Sequence, residues 1–458
     1  MKITRLGPIS KSDFTLNDLT IFTGNNNQGK TYMSYAVYGI LKSLNDISLY
    51  FYSLKDVDIL NNDGQLIISL EEFQTKLVKD LKSSISKNWS NILRINFQTE
   101  ENMFSDSKLV LSDKDILNFF NFTFSQNQEY KNTIKYKNFA VTLTFADNQF
   151  SFSRLEENIS ESNSKSDIDE DLTILHTILM VLTESFINRS ITAFYIPAER
   201  VGLNVFRSQL NSNKIQLLDT LTQHFNSSND HLNISQPISE FKPYLAKPIN
   251  DYLKFINGIN KYDINDNDDS LGRFIREKLI NGRFDIDKNT DKSFFRSRHS
   301  TKKYKKDYIP LHVTSSSIKS FYGLDYYLEN LNTTNTTNFI IIDEPEMNLH
   351  PSIQVEFINF IELLLLNNIK ILISTHSDFL IKKIQNVALK NRNTQDDNKG
   401  IVEENISVYN FSNNTMKKVD IFSDEDYTNF SQTIYELEHE FFDALEANII
   451  DSSDEERK

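Results

Sequence analysis

Runs of apolar residues that end abruptly in polar side chains occur at four places along the chain. Leu19–Thr23, Ile191–Ile196, Phe339–Ile342 and Ile369–Ile373 consist mostly of β-branched, aromatic and leucine residues. Short, apolar runs of this kind are typical of strands buried on both faces, as parallel sheets require. Because the carboxyl ends of parallel strands lie at one edge of a sheet, the polar residues that follow are expected to meet there.

The rest of the pattern predicts further strands and helices. Strands are predicted at Lys2–Leu6, Phe14–Leu16, Ile92–Phe97, Phe139–Phe145, Gln149–Phe152, Gly282–Asp287, Tyr308–Val313, Ile406–Phe411 and Met416–Ile421. Helices are predicted at Tyr32–Lys42, Leu66–Leu81, Leu172–Asn188, through most of 204–280, and at Gln432–Ile449. A solvated loop is predicted at 156–171 and a disordered tail at 451–458. This mixture predicts an α/β fold in which helices flank a mixed sheet, with a helical insertion and small β elements.

The first apolar run leads into a glycine-rich loop. Gly24, Gly29, Lys30 and Thr31 have the spacing G-x-x-x-x-G-K-[ST], and the helix predicted from Tyr32 follows directly. The glycines let backbone N–H groups point at phosphate oxygens, while Lys30 supplies a charge for the β- and γ-phosphates and Thr31 a hydroxyl for Mg²⁺. The alternative is a chance match in an ordinary glycine turn. The strand before the loop and the helix after it favour phosphate binding, since a helix N-terminus attracts anions.

Acidic and imidazole side chains follow the third and fourth apolar runs. Asp343 and Glu344 end the strand that begins at Phe339, and His376 follows the strand that begins at Ile369. Beside a phosphate-binding loop, Asp343 is expected to hold Mg²⁺ or its water, and Glu344 to polarise the attacking water as a general base. His376 is expected to donate a hydrogen bond to a γ-phosphate. The alternatives are acids that merely end a strand and a structural histidine.

Two further charged stretches each have two interpretations. Glu199 and Arg200 follow a proline turn after the second apolar run, and form either a surface ion pair or ligand-facing charges at the sheet edge. Lys292–Lys306 has no acidic residue, and aromatic side chains lie among its basic ones. This basic run is either an exposed hairpin tip or a phosphate-backbone contact for DNA or RNA. Its candidate contact residues are Arg296, Arg298, Lys302, Lys303, Lys305 and Lys306.

Composition restricts the class of protein. The 458 residues, 39% hydrophobic and 24% charged, fit one large domain with insertions or two domains. The absence of cysteine excludes disulfides and thiolate metal sites, and the eight histidines have no metal-ligand spacing. No apolar run approaches about 18 residues and no signal-peptide pattern is present, so we expect a cytoplasmic protein without a membrane partner. The net charge of −14 argues against a uniformly basic surface but allows a local nucleic-acid groove.

Together, these motifs resemble the ATP-binding-cassette (ABC) ATPases, and within them the branch that contains the overcoming-lysogenization-defect (OLD) nucleases and the SMC/RecF group. Gly24–Thr31, with Asn26 at its third position, fits the G-x-N-x-x-G-K-[ST] loop of that branch. Asp343–Pro351 resembles its D-E-P-E-x-x-L-H-P segment, the Walker B motif followed by the D-loop. Ser374–Ser377 is similar to its H-loop.

The resemblance also implies a signature motif in front of Walker B. Thr314–Ser320 is similar to the family form S-S-G-x-K, with Ser317 in place of the glycine, and implies nucleotide contacts from Ser315 and Ser316. The segment that ends at Arg200 is similar to a strand and turn of the same branch. Gln98 is the candidate for the Q-loop glutamine.

The resemblance implies an ABC-type P-loop ATPase core that uses ATP and Mg²⁺. It further implies a head-to-tail dimer, or a ring of dimers, in which the signature motif of one subunit caps ATP held by the other. With no room for a Toprim nuclease after His376, the chain is expected to control a separate effector such as a nuclease, like the ATPase subunits of the bacterial anti-phage systems PARIS and Septu. The alternative is a DNA-binding ATPase of DNA repair or chromosome maintenance. The predicted divisions are an N-lobe (1–200), a helical insertion (201–290), a C-lobe (291–421) and a C-terminal helix with an acidic tail (422–458).

Overall fold

The computed structural model describes residues 1–46, 54–100, 103–119, 130–136, 139–156, 165–186, 191–207, 245–259, 270–287, 290, 292–298, 308–331, 336–392, 400–422 and 439–440. The strands are β1 (Lys2–Leu6), β2 (Ile9–Asp13), β3 (Leu19–Gly24), β4 (Gln65–Ser69), β5 (Lys108–Val110), β6 (Tyr130–Tyr136), β7 (Phe139–Ala146), β8 (Gln149–Glu156), β9 (Ile191–Ile196), β10 (Gly282–Asp287), β11 (Lys292–Ser297), β12 (Tyr308–Pro310), β13 (Thr337–Asp343), β14 (Ile369–Ser374), β15 (Ile406–Ser412) and β16 (Thr415–Val419).

The helices are α1 (Lys30–Asp46), α2 (Leu54–Asp63), α3 (Leu70–Lys87), α4 (Trp89–Phe97), α5 (Asp113–Phe119), α6 (Lys165–Phe186), α7 (Lys247–Gly258), α8 (Ser270–Phe274), α9 (Ser316–Ser320), α10 (Tyr322–Glu329), α11 (Pro351–Leu366) and α12 (Asp378–Asn391). Residues 200–207 are also helical, and a π-helical turn at Ile275–Leu279 continues α8.

A nine-stranded mixed sheet lies at the centre of the fold, in the order β5-β1-β2-β16-β15-β3-β14-β13-β9. One part of this sheet is parallel and contains, in order, β15, β3, β14, β13 and β9. Antiparallel pairs β15–β16, β1–β2 and β1–β5 occur on the other side. The predicted α/β fold with a large mixed sheet is therefore confirmed, and the four apolar runs are four adjacent parallel strands.

Helices cover both faces of this sheet. On one face, α1, α3 and α4 pack in the same core as the strand residues Phe22, Tyr195 and Ile341. On the other face, α7, α8, α10, α11 and α12 pack in a second core with Ile21 and Ile340. Successive residues of a strand point to opposite faces, so the neighbours Ile340 and Ile341 belong to different cores. Burial on both faces explains why these strands are mostly apolar.

Two smaller sheets lie beside the large one. The four-stranded sheet β4-β8-β7-β6 contains the predicted hairpin as β7 and β8, and the three-stranded sheet is β10-β11-β12. Strand β11 occupies the first part of the basic run, Lys292–Ser297, where no strand is predicted. The predicted strand Tyr308–Val313 is strand only as far as Pro310, followed by a 3₁₀ turn.

The prediction of a strand at Ile92–Phe97 is wrong, because this segment is the end of helix α4. Its buried residues, Trp89, Ile92, Leu93 and Asn96, are three or four positions apart, which is the spacing of one helix face. Isoleucine favours strands by composition, but the packing of this face against α1 decides the outcome.

Three other predicted elements are shifted. The helix predicted from Leu172 begins at Lys165, so residues 165–171 of the predicted loop are helical. The helix predicted at Leu66–Leu81 begins only at Leu70, where the Ser69 side chain caps it, because the preceding residues form β4 and pair with β8. The strand predicted at Phe14–Leu16 lies earlier, at Ile9–Asp13, where it pairs with β1.

Several predictions concern residues outside the described ranges. Within 204–280, the described residues are helical in α7 and α8, whereas 208–244 and 260–269 are not described. The predicted helix Gln432–Ile449, apart from residues 439–440, and the predicted tail 451–458 also lie outside them. The division into lobes and insertion stays a prediction. In the described part of the chain, no helix is both long and apolar enough to cross a bilayer.

Candidate functional site

The glycine-rich loop connects β3 to α1 and has a backbone that only glycine adopts easily at two points. Gly24 has φ +128° and Gly29 has φ +98°. A Cβ atom on Gly24 would overlap the carbonyl oxygen of Phe411, and one on Gly29 would lie 2.6 Å from Cγ1 of Ile9. Both glycines are thus required by conformation and by close approach. Asn26 is exposed on the same loop.

Lys30 begins α1 with its side chain turned back into the loop. It is 5% exposed, and its ammonium donates hydrogen bonds of 2.9 Å to the carbonyl oxygens of Gly24 and Asn25. Burial lowers the pKa of Lys30 from 10.5 to about 8, and the negative charges of Glu344, Asp343 and other acids oppose this shift. The structure therefore brings Lys30 and the Walker B acids together electrostatically.

Asp343 is the last residue of β13 and is also buried, with 5% exposure. Its carboxylate accepts hydrogen bonds from the Tyr195 hydroxyl at 3.1 Å and from the hydroxyls of Ser374 and Thr31. Burial raises the pKa of Asp343, and these hydrogen bonds act in the opposite direction. Tyr195 at the end of β9 was missed by sequence reasoning, although a tyrosine just before the end of a buried parallel strand is a usable signal.

Glu344 has a left-handed backbone, with φ +47°, and its N–H donates to the carbonyl oxygen of Ser374 at 2.9 Å. Its side chain is 31% exposed, and burial followed by the charge of Asp343 raises its pKa. His376 Nε2 lies 3.8 Å from Glu344 Oε1. Burial, followed by the charge of Lys30, lowers the pKa of His376 to about 4, so the imidazole is neutral at pH 7 and this contact is not an ion pair.

Glu346 connects the Walker B loop to the turn after β14. Its Oε1 accepts the backbone N–H of His376 at 2.6 Å, while its buried Oε2 has no hydrogen-bond partner among the described residues. A second connection runs from the Ser377 hydroxyl to Gln354 Oε1, at 2.6 Å. These contacts fix the two turns relative to each other. Glu346 was also missed, because its position after a proline gives no indication of burial.

Arg200 does not form the surface ion pair that was one of its two interpretations. Glu199 is exposed, but Arg200 is buried, with 3% exposure. Its guanidinium donates to five backbone carbonyl oxygens, those of Pro197, Asp343, Glu344, Pro345 and Met347. The residue belongs to the site, but it contacts the Walker B loop and does not face a ligand.

Ser315 and Ser316 are exposed at the start of α9. The Ser315 side chain caps this helix by accepting the N–H of Ile318 at 3.3 Å. Within the described ranges, no hydrogen bond joins either serine to the phosphate-binding loop of the same chain. Within one subunit, the described part of the structure shows no such hydrogen bond between the signature-like serines and the phosphate-binding loop.

The basic run is only partly described. Arg296 is ion-paired with Asp285 at 2.6 Å, and Arg298 with Glu277 at 3.0 Å. The candidate contact residues Lys302, Lys303, Lys305 and Lys306 lie outside the described residues. Gln98, the Q-loop candidate, is exposed at the end of α4, and its side chain donates to the carbonyl oxygen of Ile95.

The residues present fit a magnesium nucleotide. The loop offers a buried ammonium, and Thr31 offers a hydroxyl beside a buried carboxylate whose remaining contacts are hydroxyl donors. Among the residues that the structure describes, no three His, Asp or Glu side chains form a metal cage. Mg²⁺ in nucleotide sites uses about one or two protein ligands together with phosphate oxygens and water, so this donor set suffices.

Comparisons with known proteins give a family and several distant structures. Three solved structures are similar to this chain. The first is the Smc head domain of Pyrococcus furiosus with an extended coiled coil bound to the C-terminal domain of ScpA, with 11% identity, coverage of 96% of this chain and 98% of that chain, and a TM-score of 0.32. The second is an SMC head bound to the C-winged helix domain of ScpA, with 10% identity, 91% and 95% coverage, and a TM-score of 0.34. The third is the SMC head domain from Thermotoga maritima, with 10% identity, 92% and 97% coverage, and a TM-score of 0.29.

A search among curated proteins found no match. The family profile described as the AAA ATPase domain matches residues 3–381, which include the phosphate-binding loop, the Walker B segment and the turn that carries His376. Because this match spans well over half of the sequence, the chain belongs to the AAA ATPase domain family.

Proposed function

We propose that this member of the family binds Mg-ATP and hydrolyses it as an engine of the ABC type. The main support is the juxtaposition of buried Lys30, which follows β3, with Asp343 and Glu344 at the end of β13, the two strands lying on either side of β14 in the parallel part of the sheet. In this proposal, Gly24, Asn26, Gly29 and Lys30 bind the phosphates, Thr31 and Asp343 hold Mg²⁺, Glu344 is the general base and His376 contacts the γ-phosphate.

The side chains of the site have properties that suit these roles. The Lys30 ammonium can exchange its two carbonyl acceptors for phosphate oxygens, with which it forms stronger charge-assisted hydrogen bonds. When bound, Mg²⁺ supplies neutralisation of the phosphate charge. Tyr195 and Ser374 hold the Asp343 carboxylate in one orientation. Because its pKa is raised, Glu344 is a stronger base than an ordinary glutamate, and its partial exposure leaves it accessible to water.

Two substitutions separate binding from hydrolysis. Lys30→Ala is expected to abolish nucleotide binding. Glu344→Gln is expected to keep binding and lose turnover by about 10²- to 10⁴-fold, the usual contribution of a general base. The control is Glu71→Gln, an exposed glutamate in the first turn of α3. Equilibrium binding of a fluorescent ATP analogue and release of phosphate are measured for each protein. Unchanged hydrolysis in Glu344→Gln would remove this residue from the role of base.

We further propose that two copies pair head to tail, so that Ser315 and Ser316 of one subunit cap ATP bound at Lys30 of the other. The exposure of both serines and the missing hydrogen bond to their own loop, within the described residues, support this arrangement. Two or three charge-assisted hydrogen bonds of about 1.5–3 kcal/mol each would make ATP favour the closed dimer strongly. Mixing inactive Lys30→Ala and Ser316→Arg chains should restore some ATPase activity, because one intact shared site can form. Continued inactivity despite proven co-assembly would count against shared sites.

For the biological output, we propose an ATPase subunit of a bacterial anti-phage complex that controls a separate effector such as a nuclease. The OLD-like form of the Asp343–Pro351 segment supports this reading. Isolation of the native complex with an effector is the test.

The alternative, a DNA-binding ATPase of repair or chromosome maintenance, depends on the basic run. Because Arg296 and Arg298 are ion-paired with acidic residues, nucleic-acid contacts would have to come from the four lysines of this run. Salt-dependent binding of the protein to plain duplex DNA would favour the DNA-binding alternative.

A further inference from the structure

Arg200 is an unusual buried cation, because backbone carbonyl oxygens are its hydrogen-bond partners. Its Nη1 lies 3.2 Å from the Asp343 oxygen and 3.1 Å from the Glu344 oxygen, and its Nη2 lies 3.0 Å from the Pro345 oxygen. Among the described residues it has no salt bridge with a carboxylate. Burying a guanidinium is costly unless its donors are satisfied, and here five backbone carbonyl oxygens accept hydrogen bonds from it.

The backbone that Arg200 holds is strained at the proposed catalytic base. Glu344 has φ +47°, a left-handed conformation that a residue with a Cβ atom adopts only at a cost in free energy. Its N–H is fixed by the Ser374 carbonyl on one side, and its own carbonyl oxygen is fixed by Arg200 on the other. Strained conformations persist only where the surroundings determine them, and they are common at functional sites. The direction of the Glu344 side chain therefore depends on Arg200.

The helix that carries Arg200 makes further polar contacts on the same face. Residues 200, 204 and 207 are four and three positions apart, so they lie along one side of the helical segment 200–207. Asn204, 1% exposed, donates from Nδ2 to the carbonyl oxygen of Lys319 in α9 at 2.8 Å. Its Oδ1 accepts the Tyr252 hydroxyl at 2.8 Å. Arg207 donates to the Ile256 carbonyl oxygen at 2.7 Å and to the Ser293 hydroxyl at 2.9 Å.

We propose that Arg200 is a positioning residue for Glu344, and that Asn204 connects the same helix to α9, so that segment 200–207 ties the Walker B loop to the signature helix of its own chain. The role in catalysis rests on the function proposed for Glu344; the mechanical connection does not. In a head-to-tail dimer, α9 faces the nucleotide of the other subunit, so a shift of the Glu344 loop at one site reaches the second site through this helix.

Three variants test the connection. Arg200→Lys keeps the charge but cannot reach five carbonyl oxygens, and Arg200→Met fills a similar volume without a buried charge, should the lysine variant fold poorly. Asn204→Ala removes the bond to α9 and leaves Arg200 in place. Gly202→Ala is the matched control, because it is exposed on the same helix and an added Cβ meets no atom within 4 Å.

Amide hydrogen exchange of the nucleotide-free protein is the first measurement. Substitution of Arg200 should speed exchange in residues 344–349, Asn204→Ala should speed it in residues 316–320 and leave 344–349 protected, and Gly202→Ala should change neither. Wild-type exchange rates at 344–349 in the Arg200 variant would overturn the positioning role. Wild-type rates at 316–320 in Asn204→Ala would overturn the connection.

Steady-state kinetics is the second measurement. Because a misplacement of about 1 Å costs up to roughly 100-fold in rate, Arg200→Lys should lose about 10- to 100-fold in kcat while KM and nucleotide affinity stay near wild type. Equal loss of affinity and kcat would indicate a merely structural residue and contradict the proposal. A wild-type protein that hydrolyses no ATP would refute the proposed function instead, and hydrogen exchange would still decide the connection.

Discussion

The buried charge of Lys30 makes the stability of the nucleotide-free protein depend on pH in a defined window. Burial lowers the pKa of Lys30 from 10.5 to about 8, so the folded protein releases this proton more easily than the unfolded chain does. Between these two values, the unfolded state holds one more proton, and stability must rise with pH. Below pH 8 both states are protonated, and the folded protein carries the full cost of the buried charge.

The expected size follows from the shift. Each unit of pH within the window is worth about 1.4 kcal/mol, so the full cost is about 3 kcal/mol and the gain between pH 8 and 9.5 is about 2 kcal/mol. Lys30→Met removes the titrating ammonium together with its two hydrogen bonds to the Gly24 and Asn25 carbonyl oxygens. The variant therefore has no titrating group at this position, and the pH dependence of the stability difference between the two proteins measures the cost of the buried charge.

The measurement is urea unfolding of wild type and Lys30→Met at several pH values between 7 and 9.5. Taking the difference between the two proteins cancels groups that titrate equally in both. Wild type should gain about 2 kcal/mol relative to the variant as pH rises from 8 to 9.5. Lys79→Met, on an exposed position of α3, controls for the loss of a lysine. If the difference in unfolding free energy between wild type and Lys30→Met does not change with pH across this range, the site does not destabilise the Lys30 charge.

Three further predictions concern packing, metal binding and nucleic acid. Gly39→Ala should destabilise the fold by about 1–3 kcal/mol despite the helix preference of alanine, because its Cβ would overlap the Asn96 amide; adding Asn96→Ala should restore the melting temperature. Tyr195→Phe should weaken Mg²⁺-dependent binding of an ATP analogue by about 10- to 100-fold in a Mg²⁺ titration, because it removes a donor that orients Asp343. Replacing Lys302, Lys303, Lys305 and Lys306 by Glu should weaken nucleic-acid binding and flatten its salt dependence; a wild type that binds none at low salt would leave the hairpin interpretation.

The strands around the site were predictable because their physical demands are visible along the chain. A strand covered by helices on both faces is mostly apolar, and its polar residues lie near its ends. Leu19–Gly24, Ile191–Ile196 and Ile369–Ser374 satisfy this demand, and their predicted bounds agree with the structure within a residue.

Other features depend on contacts between distant segments and could not be predicted. Residues 65–69 form β4 only because β8 pairs with them, and α4 is a helix because its buried face packs in the core with α1. The burial of Arg200 also depends on contacts with a distant segment and could not be predicted. An Arg beside a Glu after a turn is usually exposed, and only the carbonyl oxygens of a loop about 145 residues later account for its position.

The position of β3 in the sheet also has a consequence for biosynthesis. Its two neighbours, β14 and β15, both come from the C-terminal part of the chain. At ~5–20 residues per second, the roughly 350 residues between β3 and β14 take about 20–70 s to translate. Throughout that time the nascent chain carries an apolar segment that has neither of its sheet partners, and such a segment is prone to pair with other chains. The strand that leads into the nucleotide loop is thus among the first parts to be synthesised and among the last to find its place, so production of this protein should depend strongly on chaperones that bind the nascent chain.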